Sequence, residues 1–222
     1  GHVEENLDTF SDKYLDPAFR ALRPRVTGVD GLAYWVIEEQ LYPRRVGPGC
    51  NNLGTPTNVN GQIAAHSLGK KESIGNMELD DIPARLKLMD EEDIAVQVIY
   101  TTLFLAYPLT KNVPLATALT ASYNRWMGQR LAGQARINWS AVVNLDDVAG
   151  TVKQVREAKQ LGAVSVMVLG TAGDDMLDHP RLDPFYAALC EENLALGVHV
   201  GWSCPAVNNL YSHIYPSGVI AF

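Results

Sequence analysis

From Asp80 onward the chain repeats one theme, in which a segment with helical spacing runs into a short, almost wholly apolar segment. The apolar segments cover residues 94–100, 137–143, 164–169 and 195–201. A run of this length, apolar on both faces, is how a parallel strand reads when crossover helices cover it from both sides. Their centres, near 97, 140, 167 and 199, lie roughly 27 to 43 residues apart, which is the size of a βαβ unit. The pattern therefore predicts a parallel sheet and admits two closures, an open doubly wound sheet or a (β/α)8 barrel.

The segments between the strands carry helix signals. Asp80 or Asp81 can cap a helix with Pro83 in its first turn and with Leu86 and Met89 on one face. Leu115, Leu119, Tyr123, Trp126 and Met127 form an amphipathic stripe, so Tyr123 and Trp126 read as core. Asp146 or Asp147 caps a helix carrying Val148, Val152 and Val155, closed by Gly162, and Asp183-Pro184 opens another. Residues 6 to 80 read differently. Aromatic-rich pieces around Phe10, Tyr14, Phe19, Tyr34, Trp35 and Tyr42 give way to the Gly/Pro/Asn-dense run from Val46 to Pro56. An irregular excursion of this length predicts an insertion or lid, with residues 45–75 over the carboxyl ends of the strands. His66 lies within it and is given no role.

Two histidines sit where barrel chemistry would be expected. His199 ends the last apolar run, and period-2 geometry places it on one face with Gly197 and Gly201, which leaves room for a metal, a substrate or another backbone. A hydrogen-bonded structural histidine is the other reading of this position. His2 and Glu4 are two apart, so on a strand they face the same way. Neutral imidazoles and carboxylates suit Zn, Mn or Fe, and a mixed shell leaves positions open for water or substrate.

Several motifs together carry a resemblance to a known family. Gly1-His2-Val3-Glu4-Glu5, Arg85-Leu86-Lys87-Leu88-Met89-Asp90-Glu91-Glu92-Asp93-Ile94-Ala95-Val96-Gln97-Val98, Tyr123-Asn124-Arg125-Trp126, Leu161-Gly162-Ala163-Val164-Ser165-Val166, Leu182-Asp183-Pro184-Phe185-Tyr186-Ala187-Ala188-Leu189 and Val198-His199-Val200-Gly201 occur in order. They resemble the amidohydrolase-related metal-dependent hydrolases and decarboxylases, the group that includes aminocarboxymuconate semialdehyde decarboxylase. The family usually has Gly where Asp93 stands. The resemblance implies a (β/α)8 TIM barrel. It also implies a divalent ion, Zn or Mn, held by two residues of strand 1, a histidine ending strand 5 and an aspartate of strand 8. His2 and His199 match the second and third of these, and His199 is also the expected catalytic residue. Glu4 is a further candidate ligand one step along. The first ligand and the strand-8 aspartate are expected outside this chain, both of whose ends read as cut from a longer protein.

The expectation is thus a single domain over residues 1–222, an incomplete barrel lacking its last strands, with an insertion at about 6–80. Its expected activity is metal-dependent nonoxidative decarboxylation of a small carboxylated, aromatic substrate, ahead of hydrolysis of a C–N, lactone or ester bond. A noncatalytic barrel that binds a small molecule is the rival. Composition narrows the partners: 47% hydrophobic and 19% charged residues are ordinary for a globular chain, and a net charge of -7 without a basic cluster argues against nucleic acid. No apolar run of about 18 residues is present to span a membrane. Cys50, Cys190 and Cys204 lack CxxC spacing, so reduced thiols in a cytoplasmic protein are expected. A homo-oligomer acting on a small molecule completes the expectation.

Overall fold

The computed structural model describes residues 1–29, 32–42, 56–59, 62–63, 73–106 and 109–199. In chain order the elements are β1 (His2–Val3), β2 (Arg25–Val29), β3 (Leu32–Ile37), β4 (Gln40–Tyr42), β5 (Asn58–Val59), β6 (Gln62–Ile63), α1 (Ile74–Met77), α2 (Ile82–Glu91) and β7 (Gln97–Thr101). They continue with α3 (Val113–Arg130), β8 (Ile137–Val142), α4 (Val148–Gln160), β9 (Ser165–Val168), β10 (Thr171–Ala172), β11 (Asp175–Met176), α5 (Asp183–Glu191) and β12 (Ala195–Val198).

Five strands form one parallel sheet in the order β1-β7-β8-β9-β12. Each successive strand of that sheet is added on the same side, so the order never reverses. That is the order of strands 1 to 5 of a (β/α)8 barrel and excludes the doubly wound alternative, whose strand order turns back at a switch point. The predicted helices are all present. Asp81 caps α2 by accepting from the Ala84 amide, and Asp147 caps α4 by accepting from the Gly150 amide. Leu119, Tyr123, Trp126 and Met127 of α3 are wholly buried, as are Ile99, Val155, Val166 and Phe185.

The three helices that feed strands β7, β9 and β12 all end in the same turn. After α2, Asp93 has φ 56°, its amide donates to the Asp90 carbonyl, and the Ile94 amide reaches back to the Met89 carbonyl. Gly162 with Ala163 repeats this after α4, and Asn193 with Leu194 repeats it after α5. This is the Schellman arrangement, which satisfies the last carbonyls of a helix and turns the chain sharply back toward the sheet. Glycine suits the left-handed position because no Cβ opposes it, and Asn and Asp tolerate it at a cost. Asp93→Gly is therefore expected to raise the unfolding free energy by about 0.5–1 kcal/mol. Urea unfolding of the two proteins measures this, and equal midpoints would mean that the aspartate bears no strain.

Between β8 and the helix layer a buried polar residue completes the sheet. The β7–β8 pairing ends at Ile99↔Trp139, and beyond it Asn124 of α3 accepts from the Val142 amide and donates to the Val142 carbonyl at 2.9 and 2.8 Å. A helical side chain thus stands in for a strand partner. Removing it leaves two buried backbone groups unpaired, and Asn124→Ala is expected to cost about 2–4 kcal/mol in the same urea experiment.

Residues 6–80 are more regular than the sequence suggests. Strands β2, β3 and β4 form an antiparallel meander, with Trp35 buried edge-on against Phe10 at 5.6 Å between ring centres. The Tyr42 hydroxyl donates to the Leu103 carbonyl, so the meander sits at the carboxyl end of β7. Its second turn is made by Glu38 and Glu39, both at positive φ (47° and 60°), where a two-residue hairpin loop ordinarily uses Asn and Gly. Most of residues 45–75 lies outside the described residues, and so does their expected place over the strand ends. Among the described residues, no helix is long and apolar enough to cross a membrane.

Candidate metal centre

Topology brings His2 and His199 together although 197 positions separate them in sequence. His2 stands on β1, the first strand of the sheet, and His199 follows directly on β12, the fifth, with its amide still donating to the Val168 carbonyl. Their imidazoles face each other across the lumen, ring centres 5.3 Å apart and planes nearly perpendicular at 88°.

His2 is oriented by its surroundings. Its Nδ1 lies 2.8 Å from the Thr101 carbonyl oxygen, which can only accept, so Nδ1 carries the proton and Nε2 keeps a lone pair. Its main chain is held from the helix side, where the buried Arg85 of α2 donates to the His2 carbonyl at 2.6 Å and to Asn76 Oδ1. Burial lowers the His2 pKa. The Thr101 bond partly offsets that, while His199 and Arg85 push the same way as burial. The net effect favours a neutral imidazole.

These features fit a divalent ion. Two imidazoles on one tetrahedral ion, with metal–nitrogen distances near 2.1 Å, have ring centres about 5 Å apart. A ligand histidine usually donates its other ring N–H to a carbonyl or carboxylate, as His2 does. Among the described residues there is no cluster of three or more His, Cys, Asp or Glu that could hold a metal, and His2 and His199 stand together as a pair.

Strand β1 ends at Val3, so the alternation that would align Glu4 with His2 lapses there, and the Glu4 amide donates to the Met77 carbonyl. Arg181 spans the Leu145 and Ala172 carbonyls and Asp175, fastening the β10–β11 hairpin, and its amide donates to His179 Nδ1. Tyr123 and Trp126 are fully buried core residues, as expected. Cys190 is an exposed free thiol, while His66, Gly201, Cys50 and Cys204 lie outside the described residues.

Sequence reasoning missed two residues beside the pair. Glu5 is buried just past β1, where its carboxylate accepts from the Thr101 hydroxyl and from the Thr102 and Leu103 amides. Burial pushes its pKa up to about 7 against the pull of those donors. Burial and then the Glu5 charge also push the hydroxyls of Tyr42 and Tyr123 upward. Tyr100 of β7 lies 6.2 Å from His2 and 5.8 Å from His199, ring centre to ring centre. Its place on the lumen face follows from its register opposite His2.

No protein-family model matches the chain, and no curated protein matches it by sequence. Solved structures do. The chain superposes over 96% of its length, at TM-score 0.69 and 22% identity, on 59% of an amidohydrolase from Mycobacterium avium subsp. paratuberculosis. The fold is that of the amidohydrolase-type barrels. The chain also matches 5-carboxyvanillate decarboxylase from Novosphingobium aromaticivorans, determined with bound manganese, over 66% of this chain and 42% of that one at TM-score 0.54 and 18% identity. A 2,6-dihydroxybenzoate decarboxylase from Rhizobium aligns with 58% of this chain and 42% of its own at TM-score 0.50 and 22% identity. The chain therefore spans between two fifths and three fifths of the length of these amidohydrolase-type barrels, as an incomplete barrel would.

Proposed function

We propose that the chain belongs to a divalent-metal-dependent enzyme that removes carbon dioxide from a small carboxylated, aromatic substrate. The histidine pair carries this reading, because two strand ends far apart in sequence bring their imidazoles to one place, ring centres 5.3 Å apart. Zinc or manganese bound there would act as a Lewis acid toward negative charge on substrate oxygens. His2 offers Nε2 while Thr101 and Arg85 fix its ring and backbone, and His199 approaches from the opposite wall. Glu4 remains a candidate further ligand. Toward the carboxyl ends of β8 and β9, Phe104, Val142, Met167 and Leu169 line a small apolar recess of about 10 Å³, which is too small for a substrate ring. In the reaction the bond to the carboxylate carbon breaks, carbon dioxide leaves and a proton takes its place. Two of the similar structures are decarboxylases, which favours this chemistry over hydrolysis at the same centre. The enzyme is proposed to be a cytoplasmic homo-oligomer acting on small molecules and not on nucleic acid or membranes.

The test uses the full-length protein loaded with zinc or manganese and a panel of hydroxylated benzoates, lactones and esters. Metal-dependent release of carbon dioxide is the expected result. Release of acid from the lactones or esters alone would replace decarboxylation by hydrolysis, and inertness toward the whole panel with metal bound would favour a noncatalytic binding barrel.

A further inference from the structure

The glycine before His199 has a specific neighbour. A Cβ built on Gly197 would lie 3.0 Å from the Tyr100 hydroxyl oxygen and 3.3 Å from its Cε1. Tyr100 stands on β7 and Gly197 on β12, with β8 and β9 between them, so the tyrosine reaches across the lumen and ends on bare backbone. The space that the sequence leaves at Gly197 is occupied by a ring tip and does not lie open beside the imidazole. Tyr100 is also the register partner of His2, and its ring is tilted by 39° to that of His2 and by 49° to that of His199.

We propose that Tyr100 is a positioning residue, a wedge seated on Gly197 that sets the gap between the strands carrying His2 and His199. This rests on the reading of the two histidines as a ligand pair. The physical reason lies in the tolerances. An aromatic ring cannot shorten, so a methyl group at position 197 must move either the ring or β12 by a few tenths of an ångström. His199 follows two residues on, directly after β12, and metal–ligand distances tolerate only about 0.2 Å. The glycine is thus matched to the tyrosine across the barrel.

The experiment compares the full-length wild type with Gly197→Ala, Tyr100→Phe, the double variant and Tyr100→Leu. Zinc affinity is measured by chelator competition, and the His2 and His199 imidazole resonances are recorded in metal-free protein. Gly197→Ala is expected to weaken zinc binding about 10- to 100-fold and to shift both imidazole resonances, as losses in the support of a ligand do. Tyr100→Phe removes the atom closest to the new methyl, so the double variant should recover at least about tenfold of that loss and return the resonances toward wild type. Tyr100→Leu, which adds no bulk, should weaken zinc about tenfold and broaden the same resonances. Wild-type resonances and affinity in both Gly197→Ala and Tyr100→Leu, or defects that merely add in the double variant, would overturn the wedge. A wild type that binds no zinc would instead overturn the ligand pair, and the metal-free resonances would still decide on the wedge.

Discussion

His199→Ala in the full-length protein is expected to lower zinc or manganese affinity by more than about 100-fold, since loss of a ligand exceeds the loss of its support, and to remove nearly all activity. The melting temperature should hardly move. The reason is placement: His199 lies beyond the last paired residue of β12 and is only partly buried, so its side chain contributes little packing. A histidine that served only as a buried hydrogen-bonding partner would give the reverse pattern, a loss of about 1–3 kcal/mol in stability with metal content unchanged. Elemental analysis beside a thermal melt separates the two outcomes, and full metal occupancy in His199→Ala would remove this residue from the site.

The second large effect belongs to Glu5. Its folded pKa of about 7 lies above the ordinary 4.5, so the folded protein holds this proton where the unfolded chain has released it. The stabilisation is complete below about pH 4.5 and disappears as pH rises through 7. At about 1.4 kcal/mol per pH unit it amounts to about 3 kcal/mol. Glu5→Gln keeps the shape without the charge, so wild type should lose about 3 kcal/mol more than the variant between pH 4.5 and pH 8. Urea unfolding at a series of pH values measures this difference, in which the contributions of all other groups cancel. Parallel pH profiles for the two proteins would show that Glu5 keeps an ordinary carboxylate pKa. The consequence reaches the candidate centre, because the Thr101 whose hydroxyl Glu5 holds is the residue whose carbonyl orients His2.

The second half of the chain was legible because each helix–strand unit carries its own punctuation. An aspartate starts α2 and α4, a left-handed residue ends α2, α4 and α5, and the strands that follow are apolar on both faces. These are local signals, and the parallel order follows from their spacing. The meander in the first half was not legible for an equally local reason: Glu38 and Glu39 occupy turn positions that chains usually give to Asn and Gly. The Asp30-Gly31 pair between β2 and β3 was the available signal for that hairpin.

At the candidate centre, period-2 reasoning places His2 and Glu4 on one face and gives no signal for Glu5, whose carboxylate is tied into the Thr101 network. Alternation holds only while the backbone stays extended, and β1 ends at Val3. Tyr100 could not have been found from its own neighbourhood, since its partner Gly197 lies three strands away in the sheet and meets it only in the folded structure.

The central claim, that His2 and His199 share one ion, is tested most directly by X-ray absorption fine structure on the zinc-loaded full-length protein. Two imidazole nitrogens near 2.1 Å are predicted in the wild type, and one in either His2→Ala or His199→Ala. An all-oxygen shell in the wild type, or two imidazoles persisting in either variant, would contradict it.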